Sequence, residues 1–208
     1  MPSNDRRKDI ARRGLYLNYA TLAYNAVEAI VALLAGAFAN SVALVSFGFD
    51  SVIELGASGA AQWRIRADFD AHRRAHVERR THRIVGWSFI ALAAYIAYDS
   101  GRALWYRERP EGSAIGLAML AASAVVMPLL ARAKRHVARE LGSRALASEA
   151  TQTSVCAYLS AIALAGVAAN TLFAWWWADP VAALLMMPII IREGMEGTRR
   201  DHGIDCCN

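Results

Sequence analysis

Two long runs without a charged residue constrain this chain more than any other feature of its sequence. Neither residues 112–131 nor residues 150–178 contain an Asp, Glu, Lys or Arg. A helix that crosses the hydrocarbon core of a bilayer needs about 20 consecutive, mostly apolar residues. Both runs reach that length, and further apolar blocks flank them, a pattern that a soluble helical bundle does not explain. The sequence therefore predicts an integral membrane protein.

The apolar blocks and the charged segments between them predict an all-α, polytopic bundle of six transmembrane helices. The predicted spans are residues 15–38, 42–63, 84–106, 113–131, 148–173 and 180–195. They divide the chain into a basic tail (1–14), a transmembrane domain (15–196) and a short tail with two adjacent cysteines (197–208). For the last span, Asp179 followed by Pro180 indicates an N-cap and a first helical position.

The basic residues predict the orientation of the bundle. Twenty of the 23 Lys and Arg residues lie in the N-terminal tail, the second and fourth connections and the C-terminal end. Because cytoplasmic connections are enriched in Lys and Arg, both termini are predicted to be cytoplasmic, in a plasma (inner) membrane protein with an uncleaved first helix. Basic residues that follow this rule do not indicate a nucleic-acid-binding surface.

Ionisable residues inside a span are costly, so the acids of the second span require an explanation. Asp50 and Glu54 are four residues apart, which places both carboxylates on one face of a helix. Two neighbouring carboxylates repel each other unless a bound cation or a proton compensates their charge. The pair therefore indicates a cation site.

The fifth span offers a complementary set of donors. Gln152 and Cys156 have the same spacing of four, and Glu149 lies one turn earlier. A thiolate with carboxylates suits zinc-like or softer ions, and the Gln152 amide oxygen could complete the shell. At about 1.5 Å per residue, Glu54 and Cys156 lie at similar depth, so the two pairs are expected to face each other.

Each of these residues also has a structural interpretation. A buried cysteine is often a small apolar filler, and a glutamine in a span often bonds a neighbouring helix. The Asp50 and Glu54 carboxylates could bond Asn25 or a backbone group instead of a metal. A polar stripe on the first span is expected to look into the bundle, as a water path or as hydrogen bonds to a neighbour. It comprises Asn18, Thr21, Asn25 and Glu28.

Other polar residues are assigned outside this site. Asp99 lies three residues before Arg102 and is predicted to form a structural ion pair with it. The histidines of the second connection could collect metal ions or be solvated; they are His72, His76 and His82. Cys206 and Cys207 could hold a soft metal or be an exposed thiol pair. No nucleophile–histidine pair occurs within a predicted span, so we predict no enzyme activity and no organic cofactor.

Three segments resemble the cation diffusion facilitator (cation efflux) family. SVALVSFGFDSVIELGAS (41–58) resembles its helix 2, in which an Asp or His and an Asp follow an S-x-A-L start four residues apart. ASEATQTSVCAYLSAIAL (147–164) resembles helix 5, and WADPVAALLMMPIIIREG (177–194) resembles the A-D-P start of helix 6. The resemblance extends over most of the chain from the first span to the sixth.

This resemblance implies a homodimeric, proton-coupled exporter of divalent metals such as zinc. Its four ligands correspond to Asp50, Glu54, Gln152 and Cys156. It also implies that helices 1, 2, 4 and 5 rock against helices 3 and 6. Two features depart from the family: the usual His/Asp and Asp of helix 5 are Gln152 and Cys156, and the cytoplasmic C-terminal domain is expected to be missing. A thiol in place of an acid shifts the expected preference toward softer ions.

The sequence thus predicts a secondary transporter that exports divalent or soft metal cations from the cytoplasm, in exchange for protons. The metal ion is the substrate, and the lipid bilayer is the surrounding partner. The alternative is a membrane protein that binds metal for sensing or regulation without transporting it.

Overall fold

The computed structural model describes residues 4–66, 71–142 and 144–199, and these residues form six helices and no strand. The all-α bundle predicted from the apolar blocks is therefore confirmed. The helices are α1 (Asn4–Ala39), α2 (Val42–Arg66), α3 (Ala71–Tyr106), α4 (Ala114–Leu141), α5 (Arg144–Phe173) and α6 (Ala178–Arg199).

Predicted and observed helix ends agree at one end of the bundle and differ at the other. α1 ends at Ala39, α2 begins at Val42 and α5 ends at Phe173, each within one residue of the prediction. At the opposite end the helices continue into charged sequence: α1 begins at Asn4 within the predicted tail, and α4 ends at Leu141 rather than at residue 131.

The predicted second connection is also largely helical, because α3 begins at Ala71 and includes the positions of all three histidines. The side chains of His72, His76 and His82 lie outside the described part of the chain, as do Cys206 and Cys207.

Five of the described helices are long and apolar enough to cross a membrane: Arg12–Ala39, Val42–Gly59, Arg83–Tyr106, Ala114–Leu141 and Glu149–Phe173. α6 is not among them, because charged residues flank its short apolar stretch. Large apolar side chains such as Phe38, Trp105 and Leu172 point out of the bundle. In a membrane such exposed apolar groups contact lipid tails, whereas in water they would favour aggregation.

The α1–α2, α3–α4 and α5–α6 connections meet at one end of the bundle, which we call the capped end. There the Glu111 amide donates to the Ala39 carbonyl at 2.8 Å, and the Asn170 side chain donates to the Pro110 carbonyl at 3.0 Å. We call the opposite end, with the α2–α3 and α4–α5 connections, the basic end. Short connections require neighbouring helices to run antiparallel.

Asp179 caps a different helix from the one predicted. α6 begins at Ala178, one residue before Asp179, and the Asp179 carboxylate accepts hydrogen bonds from the start of α2. Ser41 Oγ donates to Oδ1 at 2.5 Å, and the Val42 and Ala43 amides donate to Oδ2 at 2.8 and 3.4 Å. The first amides of a helix have no partner within it, and a carboxylate there also interacts favourably with the helix dipole. Asp179 therefore fixes the start of α2 to α6.

The predicted ion pair of α3 is confirmed. Arg102 Nη2 lies 3.1 Å from Asp99 Oδ1, and Arg102 Nη1 lies 3.0 Å from Glu108 Oε1. All three side chains are at least partly exposed, so the contribution of this cluster to stability is small.

Gly166 lets α5 and α6 approach each other closely. A Cβ atom at this position would lie 2.3 Å from Ala182 Cβ and 3.0 Å from the Ala178 carbonyl oxygen. Gly48 of α2 has a similar role, since its Cβ would lie 2.8 Å from Leu33 Cγ of α1. Gly56 and Gly59 of α2, in contrast, have no neighbour within 4 Å in the described part of the chain.

Gly166→Ala should lower the melting temperature of the purified protein, because the added methyl pushes α5 away from α6. Overpacking of this kind costs about 1–3 kcal/mol, which exceeds the roughly 1 kcal/mol that alanine gains over glycine in a helix. Gly101→Ala is the matched control, because Gly101 lies within α3 with no neighbour in 4 Å. A melt in detergent that ranks Gly166→Ala at or above Gly101→Ala would contradict the close approach.

Candidate metal centre

Three of the four predicted ligands come together inside the bundle. One donor atom from each of Asp50, Glu54 and Cys156 lies within 4.8 Å of the other two, and all three side chains are buried. Donors bound to one Zn²⁺ at about 2.0–2.3 Å lie at most about 4.6 Å apart, so small side-chain movements would close the three around one ion.

The local helical geometry explains this arrangement. Asp50 and Glu54 are one turn apart on α2, so their side chains leave the same face. α2 packs against α5, and Cys156 points from α5 toward that face. The prediction that Glu54 and Cys156 lie at the same depth is therefore confirmed. Because the start of α2 is fixed by Asp179, the height of both acids in the bundle is fixed as well.

The two acids of α2 have different surroundings. Asn25 Nδ2 of α1 donates to Glu54 Oε2 at 3.1 Å, so the alternative expectation of a bond to Asn25 holds for this residue. Asp50 is 2% exposed, and its Oδ2 atom is buried without a hydrogen-bond donor. A buried carboxylate oxygen without a partner is costly, and a bound cation would supply one.

Glu28 of α1 lies beside the three predicted ligands. Its side chain is fully buried, Ser51 Oγ of α2 donates to its Oε2 at 2.9 Å, and Ser123 Oγ of α4 donates to its Oε1. The Cys156 thiol contacts the same Oε2 at 3.9 Å. Three carboxylates and one thiol from α1, α2 and α5 thus share one buried region, which is a set of donors suited to a divalent metal.

Comparison with known families identifies the chain. A family model described as the cation efflux transmembrane domain matches residues 78–199, more than half of the sequence. The chain belongs to the cation efflux family. The family resemblance drawn from the sequence is thereby confirmed, and the bundle is that of a multi-pass membrane protein. A comparison with curated proteins found no match.

The cation efflux match covers the region from α3 to α6, which contains Gln152 and Cys156. Members of this family transport metal cations across membranes and are not enzymes in general, so the chain is assigned to the class of cation transporters. The matched region does not include Asp50 and Glu54; their place beside Cys156 is a finding of the structure.

Gln152 is the fourth predicted ligand, and the structure places it one turn from Cys156 on α5. Its side chain is half-buried, in contrast to the three buried donors. Spacing alone puts it on the same side of α5. Its role as a ligand stays a prediction.

Glu149 has a different partner from the one expected. It was predicted to continue the metal-binding stripe of α5, but its Oε2 lies 3.6 Å from Lys134 Nζ of α4. Lys134 also donates to Thr153 Oγ1 at 3.4 Å. Lys134, counted among the basic residues of the fourth connection, is only 3% exposed and lies within α4. The pair stands on the side of the site that faces the basic end.

Glu28 and Lys134 were not assigned to the site from the sequence, although the structure places both of them beside it. Glu28 was placed only on a polar stripe that faces the bundle, and this stripe is indeed buried at Asn18, Thr21, Asn25 and Glu28. The signal that could have identified Glu28 is that it is the one acid on a polar stripe that faces the bundle. For Lys134 the signal was weaker, because a lysine near the end of an apolar run normally reaches the membrane surface.

Proposed function

We propose that this cation efflux protein is a secondary transporter that moves a divalent or soft, zinc-like metal ion out of the cytoplasm in exchange for protons. The observation that carries the proposal is the buried cluster of Asp50, Glu54 and Cys156, in which one Asp50 oxygen has no donor. These three residues bind the metal, and Gln152 is a weaker ligand. An unpaired acidic cluster in a membrane interior needs a cation partner.

The helix packing supports a transport role for this site. Its side chains come from α1, α2 and α5, and Ser123 of α4 holds Glu28. These four helices pack against one another, whereas α3 packs most extensively against α6. Rocking of the α3–α6 pair against the other four helices would open the site alternately to the two sides. In this scheme α6 also crosses the membrane.

The proposed orientation places the basic end on the side from which the metal is taken up. If the basic end is cytoplasmic, as the distribution of Lys and Arg favours, both termini are inside and metal enters past Lys134 and Glu149. The carboxylates that release the metal need another positive charge, and protons from the opposite side supply it. The family resemblance implies a homodimer, and we place it in the plasma membrane.

Metal flux into proteoliposomes tests the proposal. The purified full chain would be reconstituted and supplied with Zn²⁺, Cd²⁺, Co²⁺, Mn²⁺ or Fe²⁺, each with and without a pH gradient. We expect flux of at least one of these ions that increases with the gradient and is absent in Asp50→Ala. Asp99→Asn is the matched control, because Asp99 pairs with Arg102 away from the cluster.

Two other results would reject the transporter. If folded wild type binds metal but moves none of the five ions, the chain is a sensing or regulatory metal-binding protein. If it neither binds nor moves metal, the cluster is structural.

Cys156→Ser should change which metal is preferred more than it changes the fold. Serine keeps the size and removes the soft donor, so Cd²⁺ affinity should fall by about tenfold or more while Mn²⁺ affinity changes by less than about threefold. Competition between the two ions in a binding assay measures this directly. Equal losses for Cd²⁺ and Mn²⁺ would show that Cys156 is not a ligand.

A further inference from the structure

Glu28 is a buried acid that has no basic partner in the described part of the chain. Its side chain is 0% exposed, and no Lys or Arg within the described ranges forms an ion pair with it. Lys134, the one buried base among the described side chains, is paired with Glu149. A carboxylate in this position is costly unless a cation or a proton compensates its charge, so its presence requires a reason beyond packing.

Three helices hold the Glu28 carboxylate in one orientation. Ser51 of α2 donates to Oε2 at 2.9 Å, and Ser123 of α4 donates to Oε1. Tyr24 Oη shares a hydrogen bond of 2.9 Å with Ser123 Oγ, which fixes that serine in turn. Hydrogen bonds that orient a carboxylate are typical of metal ligands, whose partners in the protein set their direction.

The held carboxylate faces the cluster on α2 and α5. Glu28 Oε2 is 3.9 Å from Cys156 Sγ, one of the three donors that lie within 4.8 Å of one another. Each carboxylate oxygen has more than one lone pair, so Oε2 can accept from Ser51 and still bind an ion. The unpartnered Oδ2 of Asp50 is an independent sign that this region holds a cation.

We propose that Glu28 is a direct metal ligand, so that the centre consists of three carboxylates from α1 and α2 and one thiolate from α5. This inference rests on the proposed function and deepens it. A third acid compensates for the carboxylate that helix 5 lacks, and it makes the donor set mainly oxygen. Such a set favours divalent first-row ions such as Mn²⁺, Fe²⁺, Co²⁺ and Zn²⁺ over Cu⁺.

Co²⁺ binding to the purified full chain distinguishes this inference from the proposed function. Ultraviolet–visible absorption reports the coordination number through the d–d bands and the thiolate through its charge-transfer band. We expect Glu28→Gln, which keeps the size and one of the two acceptor oxygens, to weaken Co²⁺ binding by about tenfold or more. The d–d bands should change and the thiolate band should remain, whereas Cys156→Ser should lose the thiolate band.

Several outcomes would overturn the inference. If Glu28→Gln has the wild-type Co²⁺ affinity and spectrum, while Asp50→Asn and Cys156→Ser change the affinity and the spectrum, the cluster binds metal without Glu28. That result would reject the inference and keep the proposed function. Wild type that binds no Co²⁺ or Zn²⁺ would remove the proposed function and this inference together. Should Glu28→Gln not fold, Glu28→Asp decides, because its shorter carboxylate should bind at least about threefold more weakly. Unchanged affinity in that variant would also reject the inference.

Discussion

Asp50→Asn is expected to abolish metal transport. Asparagine has the size of aspartate but no charge, so the buried cluster keeps its shape and loses one carboxylate. Two unit charges about 4 Å apart interact by roughly 4 kcal/mol at an effective dielectric constant near 20. Part of that gain is offset by the smaller desolvation of the neutral amide. A loss of roughly a hundredfold in metal affinity is therefore expected, and flux in proteoliposomes should fall to the level of empty vesicles.

The same substitution should have the opposite effect on the stability of the metal-free protein. Asp50 is 2% exposed and its Oδ2 has no donor, so without a bound ion it costs free energy either to bury its charge or to neutralise it with a proton. Without metal, Asp50→Asn should melt at or above the wild-type temperature. With metal, only wild type should gain stability, because only it binds the ion tightly. Asp99→Asn should keep wild-type flux and metal-dependent stabilisation. Wild-type flux in Asp50→Asn would refute the assigned site.

The sequence predicted the capped end of the bundle better than the basic end, for a physical reason. At the capped end the apolar runs stop where the helices stop, as at Ala39 and Phe173, so composition marks the boundary. At the basic end the helices leave the apolar layer and continue through Arg-rich and Ala-rich sequence, which forms helix well. A hydropathy pattern reports where the hydrocarbon ends, so it locates a helix end only where the helix stops at that boundary.

The site was predictable only where its residues repeat along one helix. Asp50 with Glu54 has the spacing of neighbours on one face, and the depth of Cys156 followed from helix geometry. Glu28 is a single acid on another helix, and its distance from Cys156 depends on how α1 packs against α2 and α5. Glu149 shares the stripe of Cys156, yet it turns toward Lys134 of α4. The spacing of residues along one helix does not predict how that helix is rotated about its axis relative to its neighbours.

Asp179 caps the start of α2, and its removal is expected to cause a large loss of stability. This carboxylate is 1% exposed and accepts from Ser41 Oγ and from the first amides of α2, while Ser41 Oγ accepts from the Leu44 amide at 3.1 Å. Asp179→Ala would leave these buried donors without an acceptor. Hydrogen bonds to a charged group contribute about 1.5–3 kcal/mol each, and loss of a cap about 0.5–2 kcal/mol. We expect the free energy of unfolding to fall by on the order of 3 kcal/mol.

This loss should reach the metal centre, because the start of α2 sets the position of Asp50 two turns further along the helix. Asp179→Ala should therefore melt at a clearly lower temperature and also bind metal more weakly, although Asp179 contacts none of the ligands. Asp179→Asn keeps one acceptor oxygen and should lie between the two. Glu111→Ala, which removes an exposed acid at the same end, should match wild type in both measurements.

A double-mutant cycle of Asp179→Ala with Ser41→Ala measures the hydrogen bond between these two side chains, since the two losses of stability should not add. Additive losses would mean that the Ser41 hydrogen bond contributes nothing, and an unchanged melting temperature in Asp179→Ala would mean that α2 is held in place by packing alone.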